Sequence, residues 1–145
     1  MDFFDAFYTS ASGLTAQRIR MNLISSNLAN IHTTRTPQGG AYKRKEAVFA
    51  AQPVGKSFKN ILESKKTAES IEVKVVDIIE DPSAPLKKYD PHHPDADEQG
   101  YVSMPNINIM EEMVDMISAT RSYEANITAI KATKSMALKA LEIGR

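Results

Sequence analysis

The chain has 145 residues, 18 basic against 18 acidic side chains, a formal net charge of zero and no cysteine. That length suits one compact unit with helical extensions, the charge balance lacks the basic footprint of a nucleic-acid binder, and the absence of thiols excludes disulfides, thiolate metal sites and cysteine nucleophiles. No run of about 18 apolar residues is present to span a bilayer, and the opening MDFFDAFYTS, with two Asp and no basic region, predicts a chain without a cleaved secretory signal.

Residues 3 to 31 read as one long helix. Phe7, Leu14, Met21 and Leu28 repeat every seven residues, with Phe3, Ser10, Gln17, Ile24 and Ile31 in the companion position. This is a heptad seam with polar gaps at Ser10 and Gln17. At 1.5 Å per residue the helix would be about 45 Å long. Gly13 inside it costs roughly 1 kcal/mol relative to Ala, so it marks a close approach by another backbone. Residues 21 to 30 read MNLISSNLAN, ten residues without a charge. Away from the seam stand Ser12, Ala16, Asn22, Ser26, Ala29 and Asn30, which are small or amide-bearing. Asn and Ser compete for backbone hydrogen bonds and weaken a lone helix. Between packed helices they permit close approach, and their amides can bond across an interface. The surroundings predicted for this helix are other protein helices.

Residues 32 to 104 change character. TTRTPQGGAYKRK is a turn-rich exit in which Pro37 and Gly39-Gly40 break any helix. AYKRKEAVFA and ESIEVKVVDIIED read as strands; in the second, Ile71, Val73 and Val75 alternate with Glu72 and Lys74 until the phase shifts at Val76, which predicts a bulge. The stretch between them, AQPVGKSFKNILESKKTA, reads as a mobile loop. SAPLKKYDPHHPDADEQG, punctuated by Pro85, Pro91 and Pro94, predicts irregular chain, and GYVSMP one more short strand.

Residues 108 to 143 form a second long helix. Asn108 is its N-cap, with Glu111 three residues on to complete a capping box, and Pro105 lies just upstream. Glu111, Glu112 and Asp115 near its start and Lys139 and Arg145 at its far end complement the helix dipole, and Gly144 ends it. Its predicted seam runs through Ile109, Met113, Met116, Thr120, Tyr123, Ile127, Ile130, Lys134, Ala137 and Leu141. The fold class is therefore α+β: long N- and C-terminal helices (1–35 and 105–145) paired as an antiparallel coiled coil, around a small β-rich insert (36–104). An insert of that size is small for a self-sufficient core, and each helix of a lone pair stays half exposed. Both terminal segments are thus expected to fold on assembly.

The terminal blocks resemble the flagellar axial proteins of bacteria, in the branch that builds the proximal rod of the basal body. The matching residues are SASGLTAQRIRMNLISSNLANIHTT with its Asn-Leu-Ala-Asn signature, GGAYKRKEAVF after it, and DPHHPDADEQGYVSMPNINIMEEMVDMISATRSYEAN through its Tyr-Glu-Ala-Asn motif. Roughly residues 53 to 86 carry none of the likeness. Where distal rod and hook relatives continue with Thr-x-Gly-Tyr/Phe, this chain has IHTTRTPQGGAY, which favours the proximal branch. The resemblance implies a structural subunit of a periplasm-spanning shaft that transmits torque. It implies partners among other rod proteins and copies of itself, and export by the flagellar type III apparatus without signal cleavage. Met1 to Arg35 would include the export information.

No enzyme is expected: no paired acids converge with a nucleophile, and no phosphate-binding glycine loop is present. DPHHPDAD holds ligand-type residues (Asp90, His92, His93, Asp95, Asp97), yet adjacent histidines rarely share one ion and no helical His pair exists; no metal or cofactor is expected. Nor is nucleic-acid binding or membrane insertion expected, since the first helix lacks the Lys/Arg face of an interfacial helix. A soluble coiled-coil adaptor is the alternative from another class. The residues assigned to the assembly interface are Leu14, Met21, Ile24, Leu28 and Ile31 in the first seam, Asn22, Ser26, Asn27 and Asn30 on its outer face, and Met113, Met116, Ile117, Tyr123, Asn126, Ile127 and Ile130 in the second helix.

Overall fold

The computed structural model describes residues 3–53 and 71–143, with side chains from Asp5 onward. The expected loop over 51–68 gives its first three residues to β1 instead, and the rest of it lies outside the described residues, as do the side chain of Phe3 and the helix stop at Gly144. In chain order the elements are α1 (Phe3–Ala29), β1 (Lys45–Pro53), β2 (Ile71–Glu80), β3 (Leu86–Tyr89), β4 (Tyr101–Met104) and α2 (Ile109–Ile143). Two long terminal helices enclosing two small antiparallel sheets give the expected α+β class.

The helices run antiparallel. Gly13 lies beside Asn126, Met21 beside Thr120, Arg20 against Asp115 and Asn27 against Glu112, so position rises along α1 as it falls along α2. A Cβ on Gly13 would sit 3.1 Å from Asn126 Nδ2. The close approach at this glycine is thus to a side chain of the partner helix, not to a backbone.

The seam is turned by about one residue from the expected one on both helices. On α2 the buried positions are Glu112, Ala119 and Thr133, with Asn126 half-buried, rather than Met113, Thr120, Ile127 and Lys134. On α1 the column Gly13, Arg20, Asn27 joins the expected Ile24 column, displacing Leu14, Met21 and Leu28 to the flank. The reason is a third body. The β1–β2 hairpin lies along α1, fixed where Val73 N–H donates to Ser12 Oγ (3.0 Å) and Thr9 Oγ1 donates to the Ile71 carbonyl (2.8 Å). The position where helix, helix and hairpin meet has little room, so small residues such as Gly13, Ala16 and Ala119 occupy it. One cost of this seam is Gln17 Oε1, buried without a hydrogen-bond partner among the described residues.

β1 and β2 pair antiparallel with a register shift between Val48, opposite Asp77, and Phe49, opposite Val75. Val76 is the extra residue, so the bulge falls at the expected position. β3 pairs with β4 from Leu86↔Met104 to Tyr89↔Tyr101, which corrects the expectation of irregular chain over 83–100. Only four residues between Pro85 and Pro91 form the strand, short enough for prolines to flank it without removing a ladder bond. The turn between these strands needs Gly100, whose φ is +81° and whose added Cβ would lie 2.9 Å from the Tyr89 ring. Gly100→Ala should therefore destabilise the subunit by about 1–2 kcal/mol, read as a lower urea midpoint at unchanged slope.

Asn108 caps α2 as expected: its Oδ1 accepts the Met110 N–H at 3.0 Å and its carbonyl accepts the Glu112 N–H at 3.1 Å. At the C-terminus of α1, Asn30 Nδ2 donates to the Ser26 carbonyl (2.9 Å) and its Oδ1 accepts from Thr33 Oγ1 (3.1 Å), which turns the chain out of the helix.

Candidate assembly interface

A buried polar clamp defines the shape of the subunit surface. Asn27 is 1% exposed and has all four of its amide hydrogen-bonding positions filled. Its Nδ2 donates to the Lys45 carbonyl and to Glu112 Oε2, both at 3.0 Å. Its Oδ1 accepts from the Lys45 N–H at 3.0 Å and from the Tyr42 hydroxyl at 3.1 Å. The paired bonds to Lys45 imitate a neighbouring strand at the start of β1. Only a primary amide supplies two donors and two acceptors in this arrangement. Asn27 is therefore an internal keystone, which corrects its assignment to the outer face of α1.

Glu112, fully buried, accepts from Asn27 on one oxygen and from Arg44 Nε on the other. Arg44 also reaches Asp115 Oδ2 at 3.5 Å, and Asp115 accepts from Arg20 Nη2 at 3.0 Å. The clamp thus ties α1, the entry to β1 and α2 together. The hydrogen bond to Glu112 is the main cause that raises the Arg44 pKa above the ordinary arginine value. A raised cationic pKa contributes stability that is complete below the unfolded value and lost only as pH rises through the folded one. For arginine that window lies beyond any working pH. The Asp81 carboxyl at the end of β2 is held below the usual carboxylate range, chiefly by its hydrogen bond to the Ser83 side chain and then by the Ser83 N–H.

Of the other residues assigned to the interface, Ile24 is buried within the chain, and Leu14, Met21, Ser26, Leu28, Asn30 and Ile31 are half-buried. So are Met116, Tyr123, Asn126, Ile127 and Ile130 on α2. Ser26 is engaged by the Tyr42 hydroxyl at 3.2 Å. Asn22, Met113 and Ile117 remain open to neighbours. The exposed face of α1 is Tyr8, Thr15, Arg18, Asn22, Ser25 and Ala29, a single charge over six turns. Opposite the seam on α2, an exposed apolar stripe runs through Met110 (70%), Met113, Val114 (64%) and Ile117. Val114 escaped the sequence reading because the stripe competes with the assumed seam for the same apolar residues. Arg44 and Tyr42 escaped it because their partners are distant in sequence.

The DPHHPDAD stretch forms turns. His93 Nδ1 accepts the Asp95 N–H, Asp97 Oδ1 accepts the N–H groups of Gln99 and Tyr101, and Asp95 Oδ2 accepts from Thr34 Oγ1 at 2.8 Å. Among the described residues no group of three or more His or acidic side chains gathers as an ion cage, and no helix is long and apolar enough to cross a membrane.

Residues 7–35 match the family described as flagella basal body rod protein, and residues 98–143 match the flagellar basal body rod FlgEFG protein C-terminal family. These spans are α1 with its exit turn, and β4 with α2. Across its full length the chain is 49% identical to the flagellar basal-body rod protein FlgC of Bacillus subtilis, which it covers completely. It is 47% identical to that of Borreliella burgdorferi over 99% of this chain and 98% of the relative. With that of Escherichia coli O157:H7 it shares 38% identity over the whole of both chains.

Proposed function

The chain belongs to the FlgC family of flagellar basal-body rod proteins and is a structural subunit of that rod, not an enzyme; from that premise we propose that it meets copies of itself and other rod proteins through the outward faces of α1 and α2. The carrying observation is the inversion on α2, where Glu112, Ala119 and Thr133 face inward while Met110, Met113, Val114 and Ile117 face out. A freestanding protein gains nothing by wetting a contiguous apolar stripe. A subunit with neighbours on several sides buries it. Identical heterologous contacts that do not close into a ring generate a helical tube, and packing along two helical faces resists twist, as a torque-transmitting shaft across the periplasm requires. We further propose export through the flagellar type III apparatus without signal cleavage. The proximal position in the rod rests on the IHTTRTPQGGAY departure.

Supplying this chain to a bacterium deprived of its own FlgC should restore motility and place labelled subunit in purified basal bodies; failure of both would overturn the reading. On the α1 face, Asn22→Lys should leave the isolated subunit's helix content and melting unchanged, because the position is exposed. Its incorporation into basal bodies should fall by about ten-fold or more, since a desolvated unpaired ammonium costs several kcal/mol.

A further inference from the structure

α2 outruns its partner. From the pairs Gly13 with Asn126 and Asn27 with Glu112, the same register brings Phe3 level with about Met136. The helix continues to Ile143, so its last two turns pass beyond the first described residue of α1. They leave Leu138, Leu141 (71%) and Ile143 exposed. Leu141 lies on the flank of the seam itself, so this tail continues the helix–helix interface past the last described side chain of α1 that could cover it. In the tail Lys139 is exposed, as are Lys131 and Lys134 on the turns before it, and Glu142 is the acid that follows.

At the opposite end of the subunit lies a cleft of about 510 Å³ between the first turns of α2 and the end of β2. Its apolar lining is Met110 and Val114, and Glu111 and Asp81 give it negative charge. Arg44, which also lines it, has its charge taken up by Glu112 and Asp115. The tail and the cleft lie roughly 40 Å apart on one rigid helix, so they cannot meet within one chain.

We propose that the α2 tail of one copy docks in the cleft of a second copy of this chain, Leu138 and Leu141 against Met110 and Val114, with Lys139 facing Glu111. The contact is head-to-tail and open, so each copy keeps a free tail or cleft for the next. This rests on the rod-subunit reading and adds the residues of one axial contact to it.

The chain has no native cysteine, so Val114→Cys and Leu141→Cys can be paired cleanly in the full-length protein. On oxidation, in concentrated solution and in isolated basal bodies, the double variant should give a ladder of linked copies. A mixture of the two single variants should give only the mixed dimer. Glu111→Lys should lower the linked yield about five-fold, the worth of one exposed ion pair, and adding Lys139→Glu should restore it. Self-dimers of the Val114→Cys variant at the yield of the mixture, cross-links only to a different rod protein, or no cross-link in either preparation would overturn the proposal. Any of these outcomes with normal incorporation into basal bodies would leave the rod-subunit reading standing, whereas loss of incorporation by the parent chain would fault that reading instead.

Discussion

Asn27→Asp should unfold the subunit rather than merely detach it from its neighbours. The substitution removes the amide donor that reaches Glu112 Oε2 and the Lys45 carbonyl, each at 3.0 Å. It leaves two carboxylates facing each other where both residues are almost fully buried. Breaking a buried charged network in this way costs about 3–5 kcal/mol, a large part of the 5–15 kcal/mol that typically holds a domain together. The thermal midpoint followed by far-UV circular dichroism should fall by roughly 10–20 °C. Glu112→Gln added to Asn27→Asp should recover part of the loss, because the new amide can donate to the new carboxylate while its carbonyl still accepts from Arg44. A single variant that melts with the parent yet fails to assemble would place Asn27 between subunits instead.

The same residue shows where sequence reasoning stops. Heptad spacing located both helices and their antiparallel pairing, and the phase shift at Val76 located the bulge, because each is a local pattern. The face each helix presents is not local. Counting apolar residues favours Met113, Thr120 and Ile127 for the seam, yet Glu112, Ala119, Asn126 and Thr133 occupy it. A small or hydrogen-bonded side chain lets three bodies approach where a methionine would hold them apart. Asn27 looks like a mediocre helix former on an outer face until Tyr42 and Lys45 from the entry to β1, and Glu112 from α2, are brought to it. Asn22, five residues earlier in the same uncharged stretch, is exposed. The stretch MNLISSNLAN therefore serves two masters, with Ile24 and Asn27 holding the subunit together and Asn22 and Ser25 facing out.

A two-helix hairpin alone leaves each helix half wetted, which is the physical basis for expecting both ends to fold only on assembly. The structure gives α1 a second intrachain partner in β1–β2, and the clamp joins that hairpin to α2. What α1 and α2 still leave exposed is their outward faces, and the contacts proposed there would reverse the energetic consequence of a charge: harmless in the free subunit, severe in the assembly.

Met113→Glu with Ile117→Glu should therefore abolish assembly while sparing the fold. Both positions are half or more exposed, and neither contributes to the clamp. Glu is a better helix former than Ile and close to Met, so the isolated subunit should keep its helix content and its melting within about 0.5 kcal/mol of the parent. A neighbour seated on the stripe would instead desolvate two carboxylates without partners, at several kcal/mol each, beside the existing negative charge of Glu111. Two such penalties correspond to a loss of incorporation of about a thousand-fold or more. The expected phenotype is a folded, exported subunit absent from basal bodies in non-motile cells. Leucine at both positions keeps the apolar area and should assemble as the parent does. If the Glu pair supports normal motility, the stripe is free surface in the rod; if it unfolds the subunit, the stripe belongs to the chain's own core.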